Sequence, residues 1–95
     1  MTIIWSPQAQ KDYWQNIEFL EAEWTFEDVM NFIEKVDDTI SLLLKGTVKF
    51  ISTHYKNVDK VVITKHITLY YRLNETSVEL IRFWNTYQDL ENFKL

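Results

Sequence analysis

The apolar residues of this chain change their spacing at Gly46, and that change most constrains the fold. Before Gly46 they recur every three or four positions, which is the spacing of one face of a helix. After it, valine, isoleucine, threonine and tyrosine dominate, and apolar residues alternate with polar ones as in half-buried strands. A helical part followed by a strand part predicts an α+β domain.

The first helix is predicted at about residues 7–23, because Ser6 and Pro7 form a typical helix start. Serine caps the first turn, and proline fits the first helical position because the amide hydrogen it lacks has no partner there. The apolar face of this helix includes Ala9, Tyr13, Ile17, Leu20 and Trp24. Polar residues, Asp12 among them, are predicted to lie largely off that face.

The second helix is predicted at about residues 26–45. Thr25 followed by Asp28 resembles a capping box, and Gly46 suits the left-handed residue that ends a helix. The very short link makes the two helices an antiparallel hairpin. A hairpin cannot bury its joint apolar face alone, so it must pack against a sheet.

Strands are predicted from alternation and β-propensity. They lie at residues 3–5, 58–65, 66–73 and 78–84, with a hairpin turn at 74–76 and an uncertain short strand at 49–52. The expected fold is an N-terminal strand and a two-helix hairpin packed on one face of a mainly antiparallel sheet of about four strands. Residues 1–95 are expected to form a single domain.

Composition excludes several classes of protein. There is no cysteine, which removes thiol chemistry and cysteine zinc sites. The two histidines, His54 and His66, are not in metal-ligand spacing with a pair of acids, so no zinc site and no cofactor is expected. With no long apolar run and no signal peptide, we expect a soluble cytoplasmic protein that does not enter membranes.

Charge is distributed unevenly along the chain, whose net charge is −4. Residues 1–44 carry nine acidic and two basic side chains, whereas residues 45–82 carry seven basic and three acidic ones. The overall charge argues against long-range attraction to nucleic acid, although a basic face could still attract it locally. We therefore expect no sequence-specific DNA binding.

Three stretches resemble the RelE/ParE superfamily of bacterial toxins, the toxin halves of type II toxin–antitoxin pairs that are often called plasmid stabilisation proteins. They are residues 4–9 with Asp12, residues 69–73, which read Leu-Tyr-Tyr-Arg-Leu, and residues 78–85 with Gln88 and Asp89. The last stretch is similar to the ParE-like branch. Together with the order of elements, the resemblance covers nearly the whole chain.

The resemblance implies two possible activities. Nuclease members cut messenger RNA on the ribosome, which requires a base, cations and an acid around the ribose 2′-hydroxyl. At the matching positions this chain has Thr68 (Ile67 in a shifted alignment), Asn85 and Tyr87. Threonine, isoleucine and asparagine supply neither a cation nor a proton near pH 7. The substitutions favour the ParE-like branch, which binds and inhibits DNA gyrase, over an enzyme.

Candidate site residues follow from both readings. If the chain is a ribosome-dependent endoribonuclease, the candidates for catalysis are Lys65, His66, Arg82 and Tyr87. The candidates for binding a target or an antitoxin are Lys49, Lys60, Tyr70, Arg72, Asn85 and Tyr87. Arg82 shares parity with Leu80 and Trp84, so either a bulge redirects it or it pairs with an acid. For His66, and for the lysines, an ordinary strand or solvated surface position is the competing interpretation.

The resemblance also implies partners. A cognate antitoxin would neutralise the chain by wrapping a helix and an extended strand around it. The chain would form a homodimer or a hetero-oligomer with that antitoxin, and its target would be gyrase or the ribosome with its mRNA. A third alternative is a non-toxic binding module that keeps the fold.

Overall fold

The computed structural model of the chain describes residues 1–46 and 50–87. Within them lie two helices and five strands: β1 (Thr2–Trp5), α1 (Pro7–Glu23), α2 (Phe26–Lys45), β2 (Ile51–Tyr55), β3 (Val58–Thr64), β4 (Ile67–Leu73) and β5 (Ser77–Asn85). The strands form one sheet in the order β1-β5-β4-β3-β2. β1 runs parallel to β5, and the other neighbours are antiparallel. The predicted α+β architecture is confirmed, with five strands instead of about four.

Both helices begin and end where the sequence predicts, because each boundary has its own local signal. The Ser6 hydroxyl accepts a hydrogen bond from the Ala9 amide at 2.9 Å, which caps α1. Thr25 and Asp28 form the reciprocal capping box of α2. Gly46 ends α2 with a φ of 69°, a left-handed conformation that glycine adopts without steric cost.

The strand boundaries required corrections. β2 covers Ile51–Tyr55 instead of residues 49–52, and Lys49 lies outside the described residues. Lys65 and His66 were predicted to end one strand and begin the next, but they form the turn between β3 and β4. This turn is tight because Thr64 already pairs with Ile67. Two-residue hairpin turns usually show Asn-Gly, Asp-Gly or Gly-X, and the Lys65-His66 turn has none of these, so the sequence did not mark it.

The core lies between the helix hairpin and one face of the sheet. α1 packs mainly against β5, and α2 packs against β3. Leu69, Tyr71, Leu80 and Phe83 on the sheet are fully buried, as is Phe32 on α2. The ring of Phe83 stacks on Trp5 at a centroid distance of 5.6 Å. In the described part of the chain, neither helix has the length and apolar character needed to cross a bilayer.

Candidate functional site at the end of the sheet

A β-bulge in β5 sets the direction of every side chain that follows it. Tyr70 pairs with Arg82, but the next residue, Tyr71, pairs with Leu80, so Ile81 is an extra residue on β5. Without the bulge, alternation from Leu80 would place the Arg82 side chain among the apolar core residues. The extra residue brings Phe83 into the core instead.

Arg82 makes a two-point ion pair with Asp12 of α1. Its Nε donates to Asp12 Oδ2 and its Nη2 to Asp12 Oδ1, both at 3.0 Å. The carboxylate also accepts from the Phe83 amide at 3.1 Å and from Gln8 Nε2 at 2.8 Å. Asp12 is 1% exposed and Arg82 8%, so the charges are buried with dense hydrogen bonding.

Both structures considered for Arg82 therefore occur together, the bulge and the pairing with an acid. The prediction that Asp12 lies off the buried face of α1 was wrong. An apolar stripe predicts which side chains pack in the core. A carboxylate can be buried only if a cation pairs with it, and a cation distant in sequence is not visible in the local pattern. Here that cation is 70 residues away.

A pair of buried carboxamides continues this network toward the end of β5. Asn85 Nδ2 donates to Asn16 Oδ1 at 3.1 Å. Asn16 Nδ2 donates to the carbonyl oxygens of Asp12 and Phe83, at 2.9 and 3.2 Å. Asn85 Oδ1 accepts from the Tyr87 amide at 2.9 Å. Asn85 is thus held inside the scaffold, and only 3% of it is exposed.

Beyond the amide pair, the half-buried ring of His66 contacts the exposed ring of Tyr87. The Tyr87 hydroxyl lies 3.2 Å from His66 Nε2, and the ring centroids are 4.6 Å apart. The Thr86 hydroxyl lies 3.4 Å from the other ring nitrogen of His66. Trp24, just past α1, lies on another side of His66 with a centroid distance of 6.2 Å. Lys65 is exposed beside them in the same turn.

Two open clefts flank this group of rings. One has a volume of about 310 Å³ and is lined by Asp12, Gln15, Asn16, Phe19, Asn85 and Tyr87. The other, of about 280 Å³, contacts Trp24 and the Lys65–His66 turn as well as Phe19 and Asn85. Phe19 lines both clefts and packs against Tyr87 at a centroid distance of 5.6 Å. We call Phe19, Trp24, His66 and Tyr87 the aromatic row.

The other predicted binding residues lie on the sheet face opposite the helices. Lys60 and Tyr70 are neighbours across β3 and β4. Burial raises the pKa of the Tyr70 phenol above its ordinary value. Arg72 pairs with Glu79 at 2.9 Å and also donates to the Lys56 carbonyl at 3.1 Å. On this face, the positive charge of Arg72 is paired with the carboxylate of Glu79.

The structure thus divides the sequence-predicted residues into three places. Lys65, His66, Asn85 and Tyr87 come together at the end of the sheet, and Arg82 is held by Asp12 beside them. Lys60, Tyr70 and Arg72 occupy the open face, where Thr68 also lies. Gln88 and Asp89, like Lys49, fall outside the described residues.

Sequence reasoning missed Asn16 and misjudged Trp24. Trp24 was assigned to the buried stripe of α1, but it is 46% exposed because α1 ends before it. Nothing in the local pattern marks Asn16, since two of its partners are distant in sequence, a carbonyl of β5 and a side chain at the end of that strand. Among residues 1–46 and 50–87 there is no cluster of three or more metal-ligating side chains.

Bacterial toxins are among the solved structures whose fold is similar to that of this chain. The chain is similar to a protein of the chromosomal ParDE system from P. aeruginosa, with a TM-score of 0.72 and 10% identity over 90% of this chain and 95% of that one. A toxin from Helicobacter pylori gives 0.69 and 15% identity over 98% and 99%. The YoeB/ParE toxin from Agrobacterium tumefaciens gives 0.62 and 16% identity over 90% and 98%. No family profile matches the chain, and no curated protein matches it in sequence.

Proposed function

We propose that this chain, which has the fold of the RelE/ParE toxins, is the toxin of a type II toxin–antitoxin pair. It acts in the cytoplasm by binding a cellular target, and DNA gyrase is the target we propose. A cognate antitoxin neutralises it. Related folds are known from complexes of this kind, such as the DinJ–YafQ toxin–antitoxin complex of E. coli.

One observation carries the choice of a binding toxin over a nuclease. Arg82 is engaged by a buried carboxylate, and Asn85 is engaged by a buried carboxamide. A nuclease needs a cation and a proton donor that face the substrate. Both side chains instead support the scaffold, while Trp24 and Tyr87 of the aromatic row expose flat ring surface. Aromatic surface of this kind is enriched in the centres of protein interfaces.

Two features support the antitoxin partner. β2 is an edge strand of the sheet, and such an edge accepts an added extended strand. Trp14 on α1 is 62% exposed beside a cleft of about 290 Å³ that also contacts Trp5 and Tyr13. An amphipathic helix buries such surface well. The antitoxin would then contact α1 and the β2 edge. We propose that the chain forms a hetero-oligomer with the antitoxin, or a homodimer when the antitoxin is absent.

An endoribonuclease is the second candidate, and one observation favours it. The His66 ring contacts the Tyr87 hydroxyl at 3.2 Å, and Lys65 lies in the same turn as His66. Histidine is the commonest general base, and a neighbouring lysine supplies positive charge for a phosphate. In this reading Lys65, His66 and Tyr87 do the chemistry, and Arg82 is a positioning residue.

The deciding experiment induces the chain alone in bacteria and follows DNA and protein synthesis by pulse-labelling in the first minutes. We expect DNA synthesis to fall first, and purified protein to inhibit supercoiling by gyrase. An earlier fall in protein synthesis, with cleaved mRNA that disappears in a His66→Gln variant, would establish the nuclease instead. No effect on either, with folded protein present, would leave the non-toxic binding module.

Surface variants locate the contact. Trp24→Ala removes a half-exposed ring from the aromatic row, and Trp14→Ala removes an exposed ring from the middle of α1. Ring truncation at the centre of an interface costs about 2 kcal/mol or more, which is roughly a 30-fold loss of affinity. We expect Trp24→Ala to weaken gyrase inhibition roughly 30-fold and Trp14→Ala to preserve it. The reverse result would move the target surface to α1.

A further inference from the structure

The carboxamides of Asn16 and Asn85 can satisfy their hydrogen bonds in only one orientation. One end of the Asn16 amide faces two carbonyl oxygens, those of Asp12 and Phe83, at 2.9 and 3.2 Å. Carbonyl oxygens only accept, so this end must be the NH₂ group. The Asn16 oxygen therefore faces Asn85 and requires a donor from it.

The same logic fixes the second amide. Asn85 gives its NH₂ to Asn16 at 3.1 Å, so its oxygen points away, toward the Tyr87 amide at 2.9 Å. If either side chain flipped, two oxygens or two donors would face each other inside a buried site. Asn16 on α1 therefore fixes the orientation of the Asn85 amide, and the Asn85 oxygen in turn holds the Tyr87 backbone amide just after β5.

This backbone carries the exposed ring of Tyr87, which contacts His66. Thr86 donates its amide to the His66 carbonyl at 2.8 Å, and Tyr87 then turns its ring onto His66. Thr86 and Tyr87 are exposed. The bond to Asn85 therefore anchors an exposed segment to the buried network.

We propose that Asn16 is a positioning residue for His66 and Tyr87 and acts through Asn85. The role of these rings in binding a target rests on the proposed function, but the positioning itself does not. A merely structural amide pair would lower the stability of the whole domain when removed. Removal of a positioning residue must in addition alter the local structure at Tyr87 and His66 in a protein that is still folded.

The test uses the full chain labelled with ¹⁵N, as wild type, Asn16→Ala and Gln15→Ala. Gln15 is the matched control, because it lines the same cleft but is exposed. NMR measures hydrogen exchange at the Tyr87 amide, with the Leu69 amide in the core as the internal reference, and the ring nitrogen shifts of His66. We expect exchange at Tyr87 to accelerate about five-fold relative to Leu69 in Asn16→Ala, which is the loss of one ordinary hydrogen bond.

We also expect the His66 ring nitrogens to shift in Asn16→Ala and to stay unchanged in Gln15→Ala. Equal acceleration at Tyr87 and Leu69, with unshifted His66 nitrogens, would overturn the inference. If Asn16→Ala does not fold, Asn85→Ala removes the Tyr87 acceptor directly and must give the same local change. An unchanged Tyr87 amide in a folded Asn85→Ala would overturn the inference equally.

Growth inhibition separates this inference from the function on which it rests. With an active wild type, Asn16→Ala should inhibit growth less than Gln15→Ala at equal soluble amounts. Full inhibition by an Asn16→Ala protein with an altered Tyr87 would refute the functional part of the proposal. If the wild type does not inhibit growth, the toxin function fails, and the exchange result still decides the positioning.

Discussion

The buried ion pair between Asp12 and Arg82 makes a quantitative prediction about stability. Replacing Asp12 by leucine leaves a guanidinium, only 8% exposed, without its carboxylate. Removal of one partner of a buried pair costs about 3–5 kcal/mol, because the remaining charge is uncompensated. The change also takes the acceptor from the Phe83 amide. We therefore expect Asp12→Leu to lose about 4 kcal/mol, a large part of the roughly 5–15 kcal/mol of a typical domain.

The double variant sharpens the test. Asp12→Leu with Arg82→Met replaces both charges by apolar groups of similar volume, a change that is often close to neutral. The sum of the two single losses should then exceed the loss in the double variant by at least about 1.5 kcal/mol.

The assay is urea unfolding followed by circular dichroism for wild type, both single variants and the double variant. Glu18→Ala, on the exposed side of α1, serves as the control and should change the free energy of unfolding by no more than about 0.5 kcal/mol. A cost of less than about 1 kcal/mol for Asp12→Leu, or strict additivity in the double variant, would refute a buried and coupled pair.

Three further predictions concern local structure. Ser6→Ala should lower the free energy of unfolding by about 1 kcal/mol, because the cap on the Ala9 amide is lost, and urea unfolding measures it. Gly46→Ala should cost about 1 kcal/mol in the same assay, since φ is 69° there, and no loss would contradict the left-handed cap. Burial raises the pKa of the Tyr71 phenol, so the neutral form contributes stability that is full below the ordinary pKa of about 10 and lost as pH rises through the raised pKa. Tyr71→Phe, which also loses the bond from the Phe50 amide, should flatten this alkaline loss when unfolding is compared at pH 8 and 10.5; an equally steep loss would contradict the assignment.

Local signals made much of the fold predictable. The serine cap, the capping box and the left-handed glycine each act within a few residues, so they place the helix ends without knowledge of the rest of the chain. Alternation likewise found Val61, Leu69 and Tyr71 on the buried side of the sheet. β2 was placed poorly because it is an edge strand, and its side chains are mostly exposed and show no apolar alternation.

The candidate site was less predictable, because its order depends on contacts between distant parts of the chain. The sequence does place a bulge or an acid near Arg82, but the identity of the acid requires α1 and β5 to be packed together. The same holds for Asn16 and Asn85, which are 69 positions apart. The sequence did mark His66 and Tyr87 as candidates, yet it could not show that the two rings touch.

The pairing of β1 with β5 has a consequence for synthesis on the ribosome. Thr2 pairs with Ser77, and the Ser6 hydroxyl donates to the Ile81 carbonyl across 75 positions of sequence. Because β5 lies between β1 and β4, the sheet cannot close before β5 has left the exit tunnel. The nascent chain therefore holds the helix hairpin without its main packing partner for most of its translation, and contacts of such long range slow folding. The time before the sheet closes is an interval in which a protein translated nearby can bind the unfinished chain before it reaches its folded shape.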